Sequence, residues 1–188
     1  MDNLSNTFFH EFGLPYEALA KYGHYQQVGN AYWAAEIAQI ISNAITTGEA
    51  YGNKTTSGSG RIAVVESWGF FIGNTFNALK YNGPNPNTAD RERNQLENNI
   101  PVDNVSVQRW NTGSQGWIPI GLPHDLIDVG EPASTGVVDN VSGYSIQGLF
   151  NGYQPGVTTV QGLRQEILNR NGNSQAAQVN ALVTSYRY

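Results

Sequence analysis

The chain has 188 residues, a formal net charge of −5 and 13% charged residues. That length suits one domain that buries roughly 70% of its unfolded surface. Ten Lys and Arg against fifteen Asp and Glu leave no basic surplus for phosphate binding, which argues against a nucleic-acid partner. No run of about 18 apolar residues exists, so no membrane span is expected. Zero cysteines exclude disulfides, thiolate metal sites and a cysteine nucleophile.

The N-terminal Met1-Asp2-Asn3-Leu4 has neither the basic nor the apolar region of a signal peptide. Four Asn-x-Ser/Thr triplets, at Asn3, Asn53, Asn104 and Asn140, are what chance supplies in an Asn-rich chain. Thr7-Phe8-Phe9-His10-Glu11-Phe12-Gly13 then places an adjacent His-Glu pair behind two aromatics. Alone, that dipeptide is a weak signal. A zinc-peptidase helix needs a second imidazole one turn on, but position 14 is Leu14, followed by Pro15, which disfavours a helical Leu14.

Residues 30–47 have Asn30 as N-cap, Trp33, Ile37, Ile40, Ile41 and Ala44 on one face, and Gly48 as a stop, which predicts an amphipathic helix. Residues 49–60 read as a polar Gly/Ser-rich loop. From about 60 to 81, the apolar positions Ile62, Val65, Gly69, Ile72, Phe76 and Leu79 predict a long buried helix. The 30–47 and 60–81 helices are expected to pack together as the centre, with Trp33, Ile37, Ile41, Ile72, Phe76 and Leu79 nearly inaccessible. Residues 88–99 read as a short solvated helix. Ile118 through Asp128 form a turn leading into one helical turn, and closing helices are expected at about 157–170 and 174–186. Alternating strands are absent, so the expected fold is mainly α, a single domain over 1–188 with about five to seven helices.

Glu66 is the only charged side chain between Arg61 and Lys80. Its helical neighbours are Ile62, Ala63, Gly69 and Phe70, and a carboxylate on such a face costs several kcal/mol unless it is compensated. Compensation comes either from backbone and aromatic hydrogen bonds or from a metal or catalytic role. His124 lies between Pro123 and Asp125, which is placed to orient it; a solvated turn histidine is the commoner case. No complete calcium-loop spacing accompanies Asp125 and Asp128.

Asn6-Thr7-Phe8-Phe9-His10-Glu11, then Gly23-His24-Tyr25-Gln26-Gln27-Val28-Gly29-Asn30-Ala31-Tyr32-Trp33, then Val65-Glu66-Ser67-Trp68-Gly69 together resemble a gluzincin family of secreted or lipoprotein bacterial zinc metallopeptidases. The tail from Asp139 to Asn180 is similar to that family's helical C-terminal part. The resemblance implies zinc as cofactor and a peptide or protein substrate, with location outside the cell or in its envelope. It makes His10 the first zinc ligand, Glu11 the general base and Glu66 the third ligand. His24 stands in for the missing second imidazole only if 14–22 loops back, and His124 becomes an oxyanion donor. It also implies a zincin-like helical subdomain without the N-terminal sheet subdomain, and hence a fragment of a longer precursor or a reduced relative. With its His-Glu-x-x-His motif degenerate, the chain is expected to bind zinc weakly or not at all. The competing reading is a non-catalytic helical binding or structural domain that keeps the scaffold. A third is a glycan- or protein-binding module using exposed Trp110, Trp117 and Tyr153.

Overall fold

A computed structural model describes residues 30–81, 116–128, 137–154 and 156–188, with the side chains of 30–34 and 77–81 left outside the description. The described residues are helical, without strands, in chain order α1 (Asn30–Thr47), α2 (Ser59–Tyr81), the single turn α3 (Leu122–Asp125), α4 (Ile146–Phe150), α5 (Val160–Arg170) and α6 (Ala176–Ser185). No described helix is long and apolar enough to cross a membrane. The helix expected at 88–99 lies outside the described residues.

α2 is the centre. Every residue from Ile62 to Gly69 is buried, so this stretch is enclosed on all faces rather than along one stripe. It packs against α3 and α5, and α5 in turn packs against α4 and α6. Leu163, Ile167, Leu182 and Val183 close the core from the C-terminal side, and Trp117 and Ile118 close it from the segment before α3. Inside the core the Trp68 ring lies 4.7 Å from Tyr153, 5.6 Å from Phe71 and 5.8 Å from Phe150, centroid to centroid.

Local chemistry sets the helix ends. The Thr159 and Ser145 hydroxyls accept from the N–H groups of Gly162 and Gly148, each at 3.0 Å, and so cap α5 and α4. Gly48, at φ +75°, ends α1 in the left-handed region that favours glycine. Gly60 has a different reason: a Cβ there would stand 2.5 Å from the Thr158 carbonyl oxygen, so only glycine lets α2 start so close to the approach to α5.

Side-chain bonds tie distant segments. Trp117 Nε1 donates to the Gly52 carbonyl at 3.1 Å, and the Tyr188 hydroxyl donates to the Trp117 carbonyl at 2.8 Å. Lys54 Nζ donates to the Arg187 carbonyl and lies 3.8 Å above the Tyr188 ring. The 52–54 loop, residue 117 and the 187–188 segment thus close into one ring of contacts. Farther along, the Gln175 amide donates to the Ser142 carbonyl at 2.8 Å and accepts from the Ser142 N–H at 3.3 Å. This two-point clamp accompanies a left-handed backbone at Gln175, φ 54°.

Two packing expectations are corrected. Ile37 and Ile41 are 47% and 54% exposed, because α1 turns its other face inward and buries Glu36 and Asn43. The Gln39 amide donates to Asn43 Oδ1 at 2.9 Å, giving that inward face its own hydrogen bonding. Among its described side chains, α1 contributes the partly buried Ile40 to the core. Phe76 is 41% exposed, two residues beyond Asn74, the last buried residue among the described side chains of α2. Ile72, 5% exposed, is buried as expected. The Trp33 and Leu79 side chains lie outside the description.

Candidate functional site

Glu66 is carried by the enclosed stretch of α2 and is 4% exposed. Ile62 and Ala63, one turn before it, are fully buried, and Ser67 beside it donates to the Val64 carbonyl at 2.9 Å. The carboxylate therefore sits inside the domain. The helix that carries it packs directly against α3, the turn that bears His124 and Asp125.

That turn arises because Pro123 occupies the start of a helix, where its missing N–H costs nothing, and because the Gly121 carbonyl accepts from the His124 and Asp125 N–H groups at 2.8 and 3.1 Å. His124 is half-buried, and its Nε2 lies 3.8 Å from Asp128 Oδ2 at i+4. Asp125, 1% exposed, accepts through Oδ2 from the fully buried Tyr186 hydroxyl at 2.6 Å. Sequence reasoning missed this Asp125–Tyr186 pair, since 61 residues separate its members and no local spacing signals it.

His10, Glu11 and His24 lie outside the described residues, as does the expected approach of His10 to Glu66. Among the described residues, no group of three or more His, Asp or Glu side chains is close enough to hold a metal ion. The binding-module reading loses two of its three aromatics: Trp117 and Tyr153 are 0% and 2% exposed and belong to the core, while Trp110 lies outside the described residues.

A concavity of about 500 Å³ opens beside the start of α2 and is lined by Ala35, Gln39, Gly58, Arg61 and Thr159 among others. Comparisons with protein families, with curated proteins and with solved structures return no match for this chain.

Proposed function

We propose that the chain is a metallopeptidase-like helical domain of gluzincin type whose zinc-ligand set is incomplete, with peptide-bond hydrolysis as the ancestral activity. One observation supports this reading above others: Glu66, the residue the resemblance makes a ligand, is enclosed in the central helix instead of lying on a solvated face. Carboxylates are almost never buried without a paired or coordinating role.

In this reading Glu66 would hold the metal together with His10, and with His24 only if residues 14–22 loop back. A carboxylate with two imidazoles is a donor set that suits zinc, which when bound polarises water and a substrate carbonyl. Glu11 would serve as general base toward the water, and His124 would donate to the developing oxyanion. A peptide or protein is the substrate, and the working location is outside the cell or in its envelope.

Leu14, standing where helix geometry needs the second imidazole, favours the companion reading of a non-catalytic domain that retains the scaffold. Zinc titration of the purified chain by calorimetry separates the two. Weak or no binding is expected and supports the non-catalytic form. Tight stoichiometric binding that is lost in both His10→Ala and Glu66→Gln supports the peptidase. Tight binding unaffected by Glu66→Gln removes the basis of both.

A further inference from the structure

α1 is an amphipathic helix turned inside out. Its one charged residue, Glu36, faces the body of the domain, as does Asn43, and they are 5% and 1% exposed. Its outer face carries Ile37, Ile41 and Ile45, exposed by 47%, 54% and 79%, with Ala38 and Ala44 exposed between them and no charge anywhere on that face. Scattered exposed isoleucines are ordinary, but three at i, i+4 and i+8 form a continuous stripe.

The order of residues in the stripe identifies what fits it. About Ile41 the exposed apolar positions read Ile at −4, Ala at −3, Ile at 0, Ala at +3 and Ile at +4. At 100° per residue they span an arc of roughly 120° centred on Ile41. A stripe that reads the same in both directions is complementary to itself when two copies run antiparallel. A two-fold axis at Ile41 sets Ile41 against its own copy and brings Ile37 of one copy to the level of Ile45 of the other, with Ala38 and Ala44 at the edges of the stripe leaving room for the isoleucines to interleave. A two-fold contact of this kind is isologous and closes after two copies.

We propose that the Ile37–Ile41–Ile45 face of α1 is a homodimer contact in which two copies of this chain pair antiparallel about Ile41. No charge is desolvated on either side, which removes the main cost of such a contact. The stripe amounts to roughly 400–500 Å² per copy, or on the order of 900 Å² for the pair, less than the ~1,200 Å² of stable complexes and more than most lattice contacts. The association is therefore weak and concentration-dependent.

The absence of cysteine permits a direct test. Two packed helices with axes about 9–10 Å apart bring facing Cα atoms to about 5 Å, within disulfide range. Under mild oxidation of the full chain, Ile41→Cys should form covalent dimer at least about tenfold faster than the exposed control Asn140→Cys. An equal mixture of Ile37→Cys and Ile45→Cys should cross-link faster than either alone. In sedimentation velocity the parent should shift from monomer to dimer as concentration rises. Ile41→Asp should remain monomeric at concentrations where the parent dimerises, with an unchanged thermal transition, because residue 41 is exposed. A parent that stays monomeric to about 1 mM, or equal oxidation rates for Ile41→Cys and Asn140→Cys, overturns the proposal. So does a monomeric parent that cosediments with phosphatidylcholine vesicles through this stripe.

Discussion

Tyr186→Phe removes one oxygen atom and leaves the ring that fills the core. In the parent that oxygen lies 2.6 Å from Asp125 Oδ2, and the two residues are 0% and 1% exposed. A hydrogen bond to a charged acceptor contributes about 1.5–3 kcal/mol, and water cannot easily replace the donor at this depth. Tyr186→Phe is therefore expected to cost about 2–3 kcal/mol. For a domain of this size that is a fall of roughly 4–12 °C in Tm. The pair joins α6 to the α3 turn, so the cost should fall on global stability. Urea denaturation followed by tryptophan fluorescence, with Trp117 as a fully buried reporter, measures it. A double-mutant cycle with Asp125→Asn should return a coupling of at least about 1 kcal/mol. A Tyr186→Phe variant within 0.5 kcal/mol of the parent would refute the reasoning, since the pair would then contribute nothing measurable.

Ile72→Ala should cost about 2–5 kcal/mol and Ile41→Ala less than about 1, although the two begin from the same side chain; equal costs in urea titrations would contradict the facing of α1. Thr159→Ala should cost about 1 kcal/mol through loss of the α5 cap, with Thr159→Ser close to the parent in thermal melts. Burial pushes the Tyr144 and Tyr188 hydroxyls above their ordinary pKa of 10.0. The folded state keeps those protons longer than the unfolded chain, so stability is full below pH 10 and falls as pH rises above it. Melting curves between pH 8 and 11.5 should show that fall, and Tyr188→Phe should flatten it; a stability that increases with alkalinity would reverse the sign.

Much of the helical layout was legible. The Gly48 stop gave α1 its observed end, and the 60–81 periodicity gave α2 to within a residue at its start, because stops and apolar spacing are local; Asn30, expected as the cap, is the first described residue and is already helical. The one turn before Asp128 and the two closing helices were likewise readable. The direction in which α1 faces was not. A one-sided apolar stripe shows that a helix has two faces but not which of them meets the domain, and here Glu36, Gln39 and Asn43 turn inward. The burial of Glu66 was foreseeable from its solitary charge among apolar neighbours. The Asp125–Tyr186 bond was not, because only the folded chain joins residues so far apart in sequence.

The ring that joins Gly52 and Lys54 to Trp117, Arg187 and Tyr188 carries a consequence for the order of events during synthesis. The bond from Lys54 to the Arg187 carbonyl spans 133 residues, so a ribosome making about 5–20 residues per second produces its acceptor roughly 7–27 s after its donor. Until then the 48–58 loop lacks its Lys54 anchor, and Trp117 has neither Tyr188 nor the α6 side of the core. Contacts of such long sequence separation reward the chain only after their loop entropy has been met. The nascent chain therefore reaches its native arrangement only once the α6 region has left the exit tunnel, and before that the apolar surface of α2 awaits the residues that enclose it.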